Sequence, residues 1–262
     1  PGFRDALTLH LVEISPVLRA QQERTLNALP LSVSWHAALE EVPKGPAIVV
    51  ANEFFDALPI NQAVKIDGGW HERQIAIDAN GNLAFTVARE PLPHFEQLLP
   101  PAVREAPEPS IFEWRADTVA MELGRRIAND GGAALAIDYG HAESATGETL
   151  QAVGQHAYAN PLTAPGTIDL TAHVDFQALA RAVEAMGANA FGPIEQADFL
   201  RRLGIETRAA ALKAKATSRT IAADIDSALA RLIGRGRSGM GALFKVASFA
   251  HPALGIPPGF ET

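Results

Sequence analysis

Short apolar runs that lead directly into a helix start set the strongest limit on how this chain folds. Residues 9–14 have the apolar and β-branched content of a buried strand, and Ser15 and Pro16 follow as the N-cap and first residue of a helix. Residues 31–36 and 47–51 indicate two more strands, the second of them continuous and buried. Strands that alternate with helices and carry continuous apolar runs are typical of a mostly parallel sheet with helices on both faces. The sequence therefore predicts an α/β fold.

A different pattern follows in the middle of the chain. Three strand-like pieces lie there: residues 62–66, 70–77 and 83–87. Asp67-Gly68 and Asn80-Gly81 separate them, and such pairs favour hairpin turns because these turns need positive φ. We expect an inserted antiparallel segment over about residues 60–110, ending in a proline-rich connector.

The α/β rhythm resumes after this insertion. Apolar residues at helical spacing predict helices around residues 119–127, 176–186 and 221–232, the first of them ended by Gly131. Residues 133–137 and 243–249 indicate strands, and residues 140–164 a long loop. We expect a single domain over residues 1–262, with a helical segment over about residues 170–236.

Composition excludes several classes of function. The chain has no cysteine, which excludes disulfides, thiol nucleophiles and cysteine-ligated zinc, and it has no His-x-x-x-His run, so we expect no metal. The formal net charge is −8 and Lys and Arg form no block, so we expect no nucleic-acid partner. No run approaches the roughly 20 apolar residues that a bilayer requires, so we expect no membrane insertion.

The first candidate for chemistry is Glu13, which ends a predicted strand directly before a helix. In a doubly wound sheet the ligand lies beyond the carboxyl ends of the strands, where an acidic residue can accept hydrogen bonds from both ribose hydroxyls of an adenosine. The alternative is a carboxylate that only complements the dipole of the following helix. The same arrangement serves nicotinamide dinucleotides, so Glu13 indicates an adenosine ligand and leaves the reaction open.

The second candidate is the pair of carboxylates Glu53 and Asp56, just after the strand of residues 47–51. Two carboxylates three residues apart can face one pocket if the backbone turns helically, and paired carboxylates can hold the rigid fork of a guanidinium. Phe54 and Phe55 could then wall the site. In the alternative interpretation Asn52 caps a short helix, Asp56 is solvated and the phenylalanines belong to the core.

The third candidate is His173, two residues before Asp175. This spacing is compatible with a metal site or an acid–base pair. A single histidine beside a helix start is more often a hydrogen-bonded structural residue. The glycine-rich run at residues 234–241 follows a predicted helix and precedes a predicted strand, which is the wrong order for a dinucleotide loop, so we expect a connector there.

Several blocks of the sequence, taken together and in order, resemble the MidA family (DUF185) of class I methyltransferases, which depend on S-adenosyl-L-methionine (SAM). They are Leu-Val-Glu-Ile-Ser-Pro-Val-Leu-Arg at residues 11–19, Ala-Asn-Glu-Phe-Phe-Asp-Ala-Leu-Pro at 51–59, Asp-Tyr-Gly at 138–140, Pro-Gly at 165–166, Asp-Leu-Thr-Ala-His-Val-Asp-Phe at 169–176, and Met-Gly at 240–241. The resemblance covers nearly the whole chain. The family includes a mitochondrial complex I assembly factor that is a protein arginine methyltransferase.

The resemblance implies a Rossmann-like core with an antiparallel β-hairpin insertion, SAM as the cofactor, and symmetric dimethylation of an arginine in a respiratory complex I subunit. It also implies roles for particular residues. The expected catalytic residues are Glu53, Asp56 and His173, and the expected cofactor-binding residues are Glu13, Ser15, Trp35, His36 and Asn52. Glu13 would hold the ribose, Trp35 or His36 would lie near the adenine, Asn52 would bridge the two half-sites, and His173 would line the substrate entrance.

One family feature has no counterpart here: the glycine-rich first strand-turn-helix upstream of the strand that carries Glu13. We interpret the chain, which starts at Pro1, as an N-terminally truncated enzyme that alone binds SAM weakly or not at all. The expected location is the cytoplasm of a bacterium, which we favour, or the mitochondrial matrix of a eukaryote. A homodimer is compatible with the resemblance. Two alternatives stay open: another adenosine-cofactor enzyme and a non-catalytic assembly chaperone.

Overall fold

A computed structural model describes residues 2–154, 157–163, 165–236 and 239–261. The strands, in chain order, are β1 (Thr8–Val12), β2 (Ser32–His36), β3 (Ala47–Asn52), β4 (Ile60–Ile66), β5 (Gly69–Ile77), β6 (Leu83–Pro91), β7 (Ser110–Arg115), β8 (Gly132–His141), β9 (Gln151–Gly154), β10 (Ala157–Ala159), β11 (Asp169–Thr171), β12 (Val174–Asp175), β13 (Asn189–Glu195) and β14 (Phe244–Ala250).

The helices are α1 (Gly2–Asp5), α2 (Pro16–Leu26), α3 (Phe95–Leu98), α4 (Pro101–Arg104), α5 (Thr118–Asp130), α6 (Phe176–Glu184), α7 (Gln196–Arg202), α8 (Ile205–Ala214) and α9 (Arg219–Ile233), with a 3-10 turn at Leu39–Glu41. Helix α5 ends at Gly131, whose φ of 87° suits a residue without a Cβ, as the sequence predicts. No helix in the described part of the chain is long and apolar enough to cross a bilayer.

A five-stranded sheet forms the centre of the molecule. Its strand order is β12-β8-β14-β13, with β3 paired to β8; β3 and β12 run parallel to β8, and β14 runs antiparallel to both β8 and β13. Alternate residues of β8 face opposite sides. Ala134 and Ala136 pack with α5 and α6, while Leu135 and Ile137 join the cluster that contains Phe199 of α7. Helices therefore cover both faces, and the α/β prediction is confirmed.

Strands β1 and β2 pair in parallel as a separate two-stranded sheet, connected by α2. The expected helix start is confirmed, because the Ser15 side chain accepts a hydrogen bond from the Leu18 N–H and Pro16 occupies the first helical position. Helix α2 has no buried residue, and the side chains of Ile14 and Val17 are exposed. This β1–α2–β2 unit is thus held by its own hydrogen bonds more than by packing.

The predicted antiparallel insertion is a four-stranded sheet with the order β6-β5-β4-β7. Its turns have the positive φ that the sequence requires: 51° at Asp67, 79° at Gly68 and 84° at Gly81. Trp70 and Phe112 are buried on one face of this sheet. The fourth strand, β7, lies beyond the proline-rich connector and returns the chain to the central sheet.

Two expectations about individual elements are wrong, and strands were also missed. Strand β3 is not buried on both faces: Val49 and Ala51 pack on the main core, while Ile48 is 78% and Val50 is 65% exposed. The expected loop over residues 140–164 contains β9 and β10, which form a small antiparallel sheet with the distant β11. Strand β13 was not expected at all.

Candidate active site

The carboxyl ends of β3 and β8 meet at one edge of the central sheet. The two strands are parallel, and their register places Asn52 opposite Ile137. The five residues Asn52, Glu53, Phe54, Phe55 and Asp56, which we call the acidic turn, therefore lie beside Asp138 and Tyr139. This edge is the position where open α/β sheets bind their ligands.

Asp138 holds the acidic turn by its backbone. Its Oδ2 accepts hydrogen bonds from the N–H groups of Phe54 (3.2 Å), Phe55 (3.0 Å) and Asp56 (3.1 Å), and its Oδ1 accepts one from Tyr139 N–H (3.0 Å). The residue is fully buried. Burial, together with the nearby charge of Asp56, raises the pKa of Asp138 from 3.8 to about 7. Sequence reasoning did not select Asp138, although its place at the end of a predicted buried strand was an available signal.

Arg115 lies at the end of β7, and its guanidinium binds backbone carbonyl groups of the same region. Its Nη1 donates to the His173 carbonyl at 2.7 Å, and its Nη2 donates to the carbonyls of Asp56, at 3.2 Å, and Ala172. Burial lowers the pKa of Arg115, and the charges of Asp138 and Asp56 oppose that shift. Arg115 was also missed by sequence reasoning, because its three acceptors lie 57 to 59 residues away along the chain.

The two carboxylates of the acidic turn occupy different surroundings. Glu53 is exposed and has a left-handed backbone with φ of 48°, while Asp56 is only 4% exposed. Oδ1 of Asp56 is buried and has no hydrogen-bond partner among the described residues. Asn52 is exposed, Phe55 belongs to the main core, and Phe54 contacts Phe55 edge-on. The turn thus carries one accessible anion and one buried anion with a free oxygen.

Tyr139 and His173 complete this edge. Their rings meet edge-on with centroids 5.6 Å apart. Burial and a hydrogen-bonding contact with the Asp56 carboxylate raise the pKa of the Tyr139 phenol. Burial is the main cause that lowers the pKa of His173, and the nearby His141 lowers it further. His173 is therefore a neutral imidazole near neutral pH. The backbone N–H of His173 donates to Thr149 Oγ1 at 2.9 Å. This hydrogen bond fixes the backbone at His173 to the neighbouring loop.

The expected cofactor residues other than Asn52 lie together in the β1–α2–β2 unit. Glu13 Oε1 accepts from Ser15 N–H at 2.8 Å, and Oε2 accepts from Gln22 Nε2 at 3.2 Å. The Trp35 indole N–H donates to Gln22 Oε1 at 3.0 Å, which links the end of β2 to α2. His36 Nε2 lies 3.0 Å from Nδ1 of His10.

The structure therefore sorts the expected site residues into two groups. Asp56 and His173 are joined through Arg115 and Tyr139, with Asn52 and Glu53 on the same turn. Glu13, Ser15, Trp35 and His36 form the other group. In the described ranges of the chain, no hydrogen bond or ion pair links the side chains of one group to those of the other. Each group is therefore held by its own hydrogen bonds.

Glu13 has acceptor capacity left for a ligand. An ionised carboxylate has about four lone-pair sites, and Glu13 uses two of them within the unit. The residue is half-buried at a strand end, so the remaining sites can accept hydroxyl groups. The carboxylate thus supports the start of α2 and keeps acceptor sites for a ligand.

The chain is similar in sequence to a known protein family and to several curated proteins. Residues 1–194 match the model of a family described as S-adenosyl-L-methionine-dependent methyltransferases. The chain is 37% identical over 233 residues to the mouse mitochondrial protein arginine methyltransferase NDUFAF7, a match that covers 80% of this chain and 52% of that protein. The Drosophila melanogaster homolog of NDUFAF7 is 35% identical, with 80% of this chain and 53% of that protein covered. The chain spans about half the length of these curated relatives.

Two solved structures from Burkholderia thailandensis have a closely similar fold. One is a COG1565 superfamily member, described as a likely methyl transferase, bound to S-adenosyl-homocysteine; its TM-score is 0.80 at 31% identity, covering 97% of this chain and 66% of that one. The other is an uncharacterized COG1565 superfamily protein with a TM-score of 0.81 at 30% identity, covering 97% and 68%. The first of these favours a SAM-type cofactor over a nicotinamide dinucleotide.

Proposed function

The chain belongs to the family of S-adenosyl-L-methionine-dependent methyltransferases, and we propose that the protein, at its full native length, transfers a methyl group from SAM to a guanidinium nitrogen of an arginine in a protein substrate. Membership confirms the family resemblance that the sequence blocks carry. The relatives' names as protein arginine methyltransferases support the choice of arginine.

The observation that carries this proposal is the charge arrangement of the acidic turn. Glu53 offers an exposed carboxylate, and three residues later Asp56 is buried, with one carboxylate oxygen that has no hydrogen-bond partner among the described residues. A guanidinium presents a planar fork of donors, which suits paired carboxylates better than the single charge of an ammonium does. A substrate arginine would pair with the exposed Glu53 directly, and would reach Asp56 Oδ1 once its approach uncovers that buried oxygen.

The cofactor would be held by the β1–α2–β2 unit. In this proposal Glu13 accepts the ribose hydroxyls with its remaining lone pairs, Ser15 fixes the start of α2 beside it, and Trp35 or His36 contacts the adenine. Asn52, the last residue of β3 and the first of the acidic turn, would bridge the two half-sites. When bound, SAM supplies an electrophilic methyl group on a sulfonium.

The residues of this chain would act mainly by positioning and electrostatics. Glu53 and Asp56 orient the guanidinium and draw its positive charge toward themselves, so that one nitrogen keeps its lone pair for the methyl group. The proton that this nitrogen loses can leave through the exposed Glu53 carboxylate to water. His173 lines the entrance as a neutral imidazole, which does not repel a cationic side chain.

The substrate that we propose is an arginine of a respiratory complex I subunit, which would be dimethylated symmetrically in support of complex I assembly. The proposed compartment is the cytoplasm for a bacterial source and the mitochondrial matrix for a eukaryotic one. Of the two, we favour the bacterial setting. A homodimer fits this proposal as well as a monomer does.

The test compares Asp56→Asn and Glu53→Gln with the wild-type protein at full native length, using tritiated SAM and a candidate complex I subunit. We expect Asp56→Asn to lower turnover by at least about 100-fold, as loss of one transition-state charge contact does, and to leave SAM binding unchanged. Glu53→Gln should raise KM for the substrate. Asp224→Asn, in helix α9, is the matched control and should have no effect.

Unchanged turnover in Asp56→Asn would remove this residue from the mechanism. If the wild-type protein binds the subunit and transfers no label, the protein is a non-catalytic assembly chaperone and the proposed reaction is wrong.

A further inference from the structure

One carboxylate oxygen of Asp138 accepts hydrogen bonds from consecutive backbone N–H groups of the acidic turn. Three consecutive N–H groups, those of Phe54, Phe55 and Asp56, point at its Oδ2 at 3.0 to 3.2 Å. Successive backbone N–H groups that converge in this way form an anion-binding concavity. Here the anion is a side chain of the same protein, supplied by the neighbouring strand 82 to 84 residues later.

The acidic turn adopts a backbone that it would not adopt alone. Glu53 has φ of 48°, in the left-handed region that non-glycine residues avoid at a cost of about 1–2 kcal/mol. Such a conformation persists only where the surrounding structure fixes it. The Glu53 N–H donates to the Ile137 carbonyl at 2.9 Å, and the three N–H groups that follow Glu53 are bound to Asp138. The Asp138 carboxylate is therefore the side chain that fixes the N–H groups of the turn after its left-handed residue.

Carbonyl contacts on the other side of the turn come from Arg115. Its guanidinium binds the carbonyl of Asp56 and those of Ala172 and His173. Asp138 therefore holds the N–H groups of the turn, and Arg115 holds a carbonyl at its end. Of these two supports, only that of Asp138 reaches the residues that directly follow Glu53.

The charge of Asp138 is set by groups from every side. Asp56 of the turn opposes ionisation, while Arg115 of β7 favours it. Tyr139 follows on β8, and Lys245 is the residue opposite Asp138 on β14, with its ammonium bound to the Ala242 and Leu243 carbonyls. Because burial raises the pKa of Asp138 to about 7, both charge states are populated near neutral pH.

Protonation of Asp138 has a direct structural consequence. Both of its oxygens accept N–H groups in the structure, three at Oδ2 and one at Oδ1. A proton on either oxygen turns that oxygen into a donor that faces another donor, and weakens the remaining acceptor. At least one backbone contact must then lengthen.

We propose that Asp138 is the positioning residue of the acidic turn: its ionised carboxylate sets the direction from which Glu53 and Asp56 meet the substrate guanidinium, and its protonation releases the turn. The inference rests on the proposed arginine methylation for its effect on turnover. The effect on the turn itself is independent of the substrate.

The test uses Asp138→Asn in the protein at full native length, with three readouts. We expect kcat to fall at least 30-fold while the SAM dissociation constant changes less than twofold. The acidic limb of the wild-type kcat profile, centred near pH 7, should be absent in the variant. Amide hydrogen exchange at Phe54, Phe55 and Asp56 should accelerate at least tenfold. A merely structural role would not remove the acidic limb.

Asp78→Asn is the matched control, since Asp78 also accepts two backbone N–H groups of its own turn, those of Asn80 and Asn82, in the distant exposed hairpin. It should leave all three readouts unchanged. If Asp138→Asn keeps the wild-type kcat, the pH limb or the exchange protection of the turn, the proposal is wrong.

A second measurement keeps the proposal testable if the variant does not fold. Exchange protection of the three amides in the wild-type protein, corrected for intrinsic base catalysis and expressed relative to the amides of α5 in the main core, should be lower at pH 5.5 than at pH 8.5. The core amides follow global stability, which rises as Asp138 takes up its proton, so only a local release of the turn lowers this ratio. Constant protection overturns the proposal. Loss of protection in a protein that methylates no arginine leaves the positioning role intact and rejects the proposed function instead.

Discussion

Glu13 and Asp138 make the same kind of hydrogen bond in opposite surroundings. Each follows a parallel strand and accepts backbone N–H groups from a turn: Glu13 from its own helix start, and Asp138 from the acidic turn on the neighbouring strand. Glu13 is half-buried beside α2, a helix with no buried residue. Asp138 is fully buried, and so is the turn residue Asp56 that it holds.

This difference separates a region that can open to a ligand from one that is fixed in advance. Water can replace the contacts of Glu13, so the net contribution of those contacts to stability is small, and its free lone pairs remain accessible. The N–H groups of Phe55 and Asp56 have no such alternative, because their hydrogen bonds to Asp138 are buried and unpaired donors in the interior carry the full cost of desolvation. The proposed cofactor half is therefore adaptable, and the proposed substrate half is rigid.

The largest expected effect is on stability. Asp138→Ala leaves four backbone N–H groups without their acceptor, two of them in buried hydrogen bonds, and we expect it to lower the free energy of unfolding by about 3–5 kcal/mol. Glu13→Ala should lower it by less than about 1 kcal/mol. Urea unfolding followed by circular dichroism measures both. Equal effects of the two substitutions would show that burial does not distinguish the two regions.

The next effect is a dependence of stability on pH. The folded-state pKa of Asp138 lies above the unfolded one, so the folded state binds the proton more tightly, and the stabilisation present below about pH 4 is lost as pH rises through about 7. The difference between 3.8 and about 7 corresponds to about 4 kcal/mol at most.

Asp138→Asn removes this titration. We therefore expect the wild-type protein to lose more stability than Asp138→Asn does between pH 5 and pH 8 in urea unfolding. Parallel pH curves for the two proteins would contradict the burial of an ionising Asp138.

The sequence predicts contacts between residues that are adjacent in the chain, and it does not predict those between residues that are far apart. Ser15 and Pro16 predict the start of α2 because a cap and its helix are adjacent in the chain. The Asp67-Gly68 turn predicts its hairpin for the same reason. For Asp138 the only signal was its place at the end of a predicted strand, and Arg115 gave none, since the partners that they hold lie 57 to 84 residues away. Contacts of that kind follow from strand order, which periodicity does not reveal.

Composition also has limits as a guide to burial and strand assignment. The apolar run of residues 47–51 predicted burial on both faces, but Ile48 and Val50 alternate with the packed residues and are exposed. Strand β13 was missed because Gly192-Pro193 interrupts it, and that pair argues against a central strand. The structure accommodates it where β13 pairs with a single neighbour, β14.

The smallest expected effect is on cofactor affinity. In the protein at full native length, Glu13→Gln should weaken SAM binding by about 10-fold, equivalent to about 1.4 kcal/mol for a lost charge-assisted contact to the ribose. Stability should stay within about 0.5 kcal/mol of the wild type, as for other accessible substitutions. Isothermal titration calorimetry measures the affinity. An unchanged dissociation constant would leave Glu13 with only its role at the start of α2.

The central claim is that the edge formed by β3 and β8 presents its anions to an arginine, and the chemical identity of the methylated residue tests it most directly. The protein at full native length is incubated with tritiated SAM and a candidate complex I subunit, the product is hydrolysed to amino acids, and the labelled species is identified by chromatography. The account predicts label in symmetric dimethylarginine and its loss in Asp56→Asn. Label in lysine, or in a carboxylate ester, would contradict it.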